Sequence, residues 1–142
     1  KGLNFHSQEG FEVTAFGNED FCRLLNETKW IQVKLGVENI KEDFLKKIGK
    51  YYYNFDTISI AIKNIKKYNI KGVRFFYLMG LDETENDVLD NLKYFSKHNV
   101  QLRTNILRKY KNTELYDMEY SQKMTPKTMN KLKALSYAIS WL

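Results

Sequence analysis

The chain has 142 residues, of which 43% are hydrophobic and 15% aromatic, with seven Gly and one Pro. This is one globular domain's worth of polypeptide, able to bury about 68% of its unfolded surface, and the composition excludes disordered, collagen-like and linker classes. The single cysteine, Cys22, excludes an intrachain disulfide framework and a four-cysteine metal site, while the net charge of +6 leaves a nucleic-acid partner open.

In chain order, Leu3 to His6 reads as a short extended segment, followed by a turn at Ser7 to Gly10. Asn18-Glu19-Asp20 places a capping side chain and two acids at a helix start before Phe21, Leu24 and Leu25, with Cys22 on the apolar face. Ile31, Val33, Leu35 and Val37 alternate with polar residues, the period of a strand. A short helix carrying Phe44, Leu45 and Ile48 then closes at Gly49, and a longer one, with Asp56 as its cap, presents Ile58, Ile62 and Ile65 on one stripe. Val73 to Met79 is the next strand. Thr84 with Asp87 forms an acidic capping box for a helix that buries Val88, Leu92 and Phe95. Val100 to Leu107 is the last strand, and Thr125-Pro126 opens a final helix with Met129, Leu132, Leu135 and Ile139 inward.

The alternation is (βα)4, and connections of this length imply a parallel sheet with right-handed crossovers. Such a sheet is either a small open doubly wound fold or half of a β/α barrel. The strand faces favour the half-barrel. Opposite the apolar residues lie Gln32, Lys34, Gly36 and Glu38, then Arg74, Phe76 and Leu78, then Gln101, Arg103 and Asn105. A sheet with helices on one side and a wet, charged surface on the other is expected of an incomplete barrel with a ligand in its lumen. Strands whose polar face simply meets solvent are the other reading.

Three segments carry the chemistry: Lys34-Leu35-Gly36-Val37-Glu38-Asn39, then Phe44 to Lys50, then Val73 to Glu85 with its Gly80-Leu81-Asp82-Glu83-Thr84 exit. In order and separation they resemble the radical S-adenosylmethionine (SAM) superfamily, whose members show a strand ending in Gly-Val/Ile-Glu, a short helix ending in a basic residue, and a strand running into Gly-Leu-Pro-x-Glu-Thr. The resemblance extends back to Leu3–Glu12 and forward to Lys111-Asn112-Thr113-Glu114-Leu115-Tyr116, about residues 3 to 120. Asp82 stands where the family has Pro, and Phe76 where it has the first Gly of a Gly-x-Ile-x-Gly-x-x-Glu pattern.

The resemblance implies a parallel (βα)4 half-barrel, part of a radical SAM partial TIM barrel. Residues 1–121 would form strands three to six with their helices, and 122–142 a C-terminal helix packed on them. It implies cofactor-binding roles for Glu38 (the SAM ribose), Lys50 (the SAM carboxylate), Arg74 (the SAM carboxylate or a substrate), and Phe76, Leu78 and Gly80 (the adenine). His6, Glu12, Arg103 and Asn105 would face a substrate. A helix-dipole charge at Glu38, an exposed loop lysine at Lys50 and a structural histidine at His6 are the plainer alternatives.

Radical SAM chemistry also needs a four-iron four-sulfur cluster on three cysteines, and this chain has one. The expectation is therefore a fragment, inactive alone, of a parent that cleaves SAM reductively. The start at Lys1 instead of Met agrees with it. The Phe5-to-Glu12 segment looks most like the cobalamin-binding branch, which adds cobalamin to the parent's implied cofactors. The rival expectation is a non-catalytic basic α/β module binding nucleic acid or an acidic protein. Nineteen of the 23 basic residues are lysines spread along helix faces, where nucleic-acid readout usually recruits a focused arginine patch, so a solvated surface is the better reading. No apolar run nears the roughly 20 residues that cross a bilayer, and no leader opens the chain, so a cytoplasmic protein is expected. Open half-barrel edges lead to an expected homo-oligomer.

Overall fold

The computed structural model describes residues 3–117 and 121–139; residues 1–2 and 118–120 of the expected 1–121 segment and 140–142 of the expected 122–142 segment lie outside the described residues. A parallel sheet is built from β1 (Phe5–His6), β2 (Phe11–Glu12), β3 (Trp30–Glu38), β4 (Val73–Met79) and β5 (Gln101–Ile106). β3, β4 and β5 pair in sequence order, and both β1 and β2 pair with β3. Four strand positions were expected, and four exist, but the first is split in two.

The split is made by the Ser7–Gly10 turn, which stays attached to β3. The Ser7 amide donates to the Gln32 carbonyl (3.1 Å), the Ser7 hydroxyl accepts from the Lys34 amide (2.8 Å), and Gly10 turns at φ +95° against the Lys34 backbone. A two-residue strand such as β2 has no periodicity of its own to read. It forms because β3 offers it a ladder.

Helices α1 (Glu19–Glu27), α3 (Phe55–Lys67), α4 (Glu85–Lys97) and α6 (Pro126–Ile139) cover one face of the sheet, α2 (Glu42–Lys47) and α5 (Glu114–Asp117) are short, and a 3-10 turn, Val13–Gly17, packs against α3. The core between the layers holds Val33, Leu35 and Val37 of β3, Phe75, Tyr77 and Met79 of β4, and the helix residues Ile58, Ile62, Val88, Leu92, Phe95, Met129 and Leu132. Cys22 is in this core, its thiol donating to the Phe16 carbonyl at 3.5 Å.

Two expectations about helices are corrected. Asn54, not Asp56, caps α3: its side chain accepts from the Thr57 amide (3.0 Å) while the Thr57 hydroxyl accepts from the Asn54 amide (3.3 Å), and Asp56 sits in the first turn. In α6 the inward stripe is Met129, Leu132 and Ser136, with Ile139 half-buried and Leu135 38% exposed. Ser136 displaces Leu135 because the Thr104 hydroxyl of β5 donates to it at 2.6 Å and needs a polar partner in the core.

α2 (Glu42–Lys47) is short and sits at the C-terminal end of the strands. Its Phe44, with Leu81 and Leu107, forms a second small apolar cluster flanked by Ile48 and Leu78. As expected, Gly49 ends this helix with φ +76°.

Candidate functional site

The face of the sheet away from α1, α3, α4 and α6 carries the polar residues. In register, Lys34 pairs Arg74, Gly36 pairs Phe76, Arg74 pairs Gln101, Phe76 pairs Arg103, Leu78 pairs Asn105, and Glu12 pairs Gly36. Residues paired in a parallel ladder point to the same side, and these alternate with buried neighbours, so all line one open face. His6 pairs Gln32 on the same edge and is exposed.

Glu38 ends β3 where the ladder slips: the register jumps between Gly36 and Glu38, and Glu38 takes φ +56°, an uncommon left-handed conformation for a residue with a side chain. The Asn39 amide donates back to the Val37 carbonyl at 2.6 Å, closing the turn. The turn folds the Glu38 side chain back over the open face. A Cβ on Gly36 would stand 3.3 Å from Glu38 Oε1, so glycine there leaves the carboxylate its space. Burial pushes the Glu38 pKa up, and the nearby Lys50 ammonium only partly opposes this.

Lys50 is brought near Glu38 by the way the chain leaves α2. The Gly49 amide donates to the Lys46 carbonyl (3.1 Å) and the Lys50 amide to the Leu45 carbonyl (2.8 Å), so the chain leaves α2 in a fixed direction. The loop is then anchored by Tyr53, whose buried hydroxyl donates to the Val37 carbonyl at 2.8 Å. Between them, Lys50 Nζ donates to the Tyr52 hydroxyl (2.8 Å) and Tyr52 donates to Glu12 Oε1 (2.9 Å). The hydrogen bond to Tyr52, with the charges of Glu38 and Glu12, raises the Lys50 pKa and holds it as a cation. Glu12, Glu38, Lys50 and Tyr52 thus form one cluster at the C-terminal tips of β2 and β3.

Behind the turn lies a buried polar network that sequence reading missed. Glu83 Oε1 accepts from Asn39 Nδ2 (2.8 Å) and the Tyr77 hydroxyl (3.3 Å), and Glu83 Oε2 accepts from the Gly80 amide (3.0 Å). Asn91 Nδ2 donates to the Tyr77 hydroxyl at 2.8 Å and to Asn39 Oδ1 at 3.2 Å. Burial raises the Glu83 pKa while these donors oppose it. The network clamps the exits of β3 and β4 and so holds the strained turn at Glu38. Tyr52 and Tyr53 were missed as well; three consecutive tyrosines, Tyr51 to Tyr53, close after Lys50 were the signal for them.

The structure brings Glu12, Glu38 and Lys50 together, with Phe76 and Leu78 on the same face. Arg74 lies level with Lys34, deeper along the strands than Glu38. Arg103 lays its guanidinium over the Phe76 ring, 5.9 Å from the centroid, and Asn105 is exposed beside Leu78. Gly80 stands apart: it is buried, turns at φ +109°, and an added Cβ would meet Met129 Sδ at 3.4 Å. A cleft of about 420 Å³ at the opposite end of the sheet, lined by Ile62, Ile65, Ile70, Val73, Phe75 and Val100, holds none of the expected site residues.

Cys22 is enclosed in the core, and among the described residues no group of three His, Cys, Asp or Glu side chains is arranged to hold a metal ion. The residues present do not fit an iron–sulfur cluster. Glu38 does fit a polar ligand: its carboxylate is half-buried and accepts no hydrogen bond among the described residues.

The chain is thus a parallel α/β sheet with one helix-covered face and one open, polar face. Among solved structures the chain resembles the radical S-adenosylmethionine methyltransferase TsrM from Kitasatospora setae, determined with cobalamin and a [4Fe-4S] cluster bound, at a TM-score of 0.62 and 19% identity over 73% of this chain. The chain spans 20% of that protein's length. No protein-family model and no curated protein matches the sequence. Among the described residues, no helix is long and apolar enough to cross a membrane.

Proposed function

We propose that the chain is the C-terminal part of a radical SAM partial barrel, with residues 1–121 supplying its strands three to six and 122–142 a helix packed on them. The parent would cleave SAM reductively with a cluster bound outside this chain, and cobalamin would be a further cofactor. One observation carries the reading: a half-buried carboxylate, Glu38, turned over Gly36 at the tip of a parallel strand, accepting no hydrogen bond among the described residues and lying near the Lys50 cation. Such a carboxylate suits the two hydroxyls of a ribose, and Lys50 suits a carboxylate. SAM, when bound, supplies the sulfonium whose cleavage drives this family's chemistry. Within the chain, Glu38 and Lys50 would orient it, Tyr52 and Glu12 would hold Lys50 in place, and Phe76 and Leu78 would offer apolar contact.

The test is titration of the isotopically labelled chain with SAM, followed by amide NMR. Saturable changes confined to Gly36, Glu38, Lys50 and Phe76, weakened about tenfold in Glu38→Gln, are expected. Changes absent there, or binding of generic duplex DNA that weakens by orders of magnitude between low and physiological salt, would favour the basic binding module instead.

A further inference from the structure

We propose that the cleft at the N-terminal ends of β4 and β5 is a binding site separate from the open face, and that it takes a small amphipathic carboxylate of the fatty-acyl kind, its chain on the apolar floor and its head among Lys66, Lys71 and His98. The cleft lies at the end of the sheet away from Glu38, and it stands or falls independently of how the open face is read.

The cleft is made by the way two consecutive helices end. α3 and α4 are each followed by a left-handed asparagine, Asn69 at φ +52° and Asn99 at φ +55°. The chain then closes back on each helix, the Ile70 amide donating to the Ile65 carbonyl (3.0 Å) and the Val100 amide to the Phe95 carbonyl (3.2 Å), before it enters the next strand. Between the two helix ends lies a space of about 420 Å³, a size that suits a small molecule. Ile62, Ile65, Ile70, Val73, Phe75 and Val100 give it an apolar floor. Its Ile70–Gly72 side is pinned to β3: the Gly72 carbonyl accepts from the Val33 amide at 3.1 Å, and a Cβ on Gly72 would collide with the Ile31 carbonyl. The cleft is therefore preformed.

Charge selects the occupant. The ionisable groups lining the cleft are Lys66, Lys71 and His98, with no acid among them. Other exposed helix lysines meet carboxylates, Lys67 at Glu19 and Lys93 at Asp90, but the Lys66 and Lys71 ammonium groups have no ion pair or hydrogen bond among the described residues. His98 follows α4, half-buried, its ring tilted against Tyr94 with centroids 4.8 Å apart and without a hydrogen bond among the described residues. Burial, with the Lys66 and Lys97 charges, lowers the His98 pKa, so Lys66 of α3 stands close to His98 across the helix ends. At neutral pH the ring is uncharged and keeps an N–H to donate. Helix C-terminal ends on their own favour a cation. Here the closing amides already occupy the Ile65 and Phe95 carbonyls, and two lysines reverse the sign. A wholly apolar molecule would leave both lysines without a partner, and a small hydrophilic anion would leave the floor wet; an alkyl carboxylate meets both.

The experiment is NMR of the isotopically labelled full chain, titrated separately with octanoate, octylammonium, acetate and SAM. His98 and His6 are the only histidines, so the His6 ring on β1 is an internal control. Octanoate should shift the His98 ring and the Ile70, Val73 and Val100 signals saturably and leave His6 and Glu38 unmoved. Octylammonium, the same chain with the opposite charge, should bind at least about tenfold more weakly, and acetate, which lacks the chain, at least about thirtyfold more weakly. Lys66→Gln and Lys71→Gln should each weaken octanoate about threefold, the size of one exposed ion pair, while Lys131→Gln on α6 leaves it unchanged. Should a variant unfold, octanoate against octylammonium on the wild-type chain decides alone. Octylammonium binding as tightly as octanoate, unaltered affinity in the Lys66→Gln/Lys71→Gln double variant, or octanoate shifts scattered over the helix lysines without saturation at the cleft would each overturn the proposal. SAM shifts at Glu38 without octanoate shifts at the cleft would sink the cleft alone; the reverse would sink the SAM reading alone.

Discussion

Glu38 shows how much one residue's conformation carries. Its pKa is raised above the ordinary 4.5 by burial, so the folded chain binds that proton more tightly than the unfolded chain does. Stability must then fall as pH rises from the unfolded value through the folded one, because the folded state holds the extra proton. Glu38→Gln is expected to melt a few degrees higher than wild type at neutral pH, with the difference closing below about pH 4, measured by thermal unfolding across that range. Lys50→Met should push the Glu38 pKa further up, since the ammonium is the charge that opposes burial, and a carboxyl-carbon NMR titration would show it. Glu83, whose pKa burial also raises, differs in that both its oxygens accept hydrogen bonds. Glu83→Ala would leave Asn39, Tyr77 and the Gly80 amide buried without their acceptor, at a cost of about 3 kcal/mol or more in denaturant unfolding. Glu38 and Lys50 were legible as residues of a sequence pattern. Asn39, Asn91 and Tyr53 were not, because a buried amide or phenol is defined by a partner far along the chain.

At the scale of elements, helix starts were mostly readable and helix faces less so. The Thr84–Asp87 box forms as its spacing requires, with the Asp87 amide donating to the Thr84 hydroxyl at 3.3 Å and the Thr84 amide to Asp87 Oδ2 at 2.8 Å. The Lys41 ammonium and the Thr84 amide hold the Asp87 carboxyl down to about 2. A depressed carboxyl stabilises above its unfolded pKa of 3.8 and loses that contribution as pH falls through its folded value. Asp87→Asn should therefore be less stable than wild type at neutral pH, with the gap disappearing between about pH 4 and pH 2 in acid unfolding. Thr84→Ala should cost about 1 kcal/mol. The cap of α3 was ambiguous in sequence because Asn54 and Asp56 are both capping residues with a hydroxyl three positions on; the extended backbone of Asn54, φ −138°, decides it. The α6 stripe was misread at Leu135 because apolar spacing cannot foresee that Thr104 of a distant strand needs Ser136.

At the scale of the molecule, β5 and the β1–β2 pair are edges, and the polar face is open. We expect copies to associate through these surfaces. Sedimentation velocity should show association growing with protein concentration, and growing further with salt as the repulsion from a net charge of +6 is screened. A monodisperse monomer at high concentration would contradict that.

Sequence by itself determined the α/β class, the parallel order of the main strands and the polarity of each strand face, since all three follow from local period and connection length. It also singled out Glu38 and Lys50 from an ordered set of motifs. Tertiary structure decided what those residues meet. The ladder slip that turns Glu38 over Gly36, the tyrosines that place Lys50, the second short strand, and the register of β3, β4 and β5 all depend on contacts between residues 16 to 40 positions apart. No local pattern encodes those distances; packing of the sheet against its helices does.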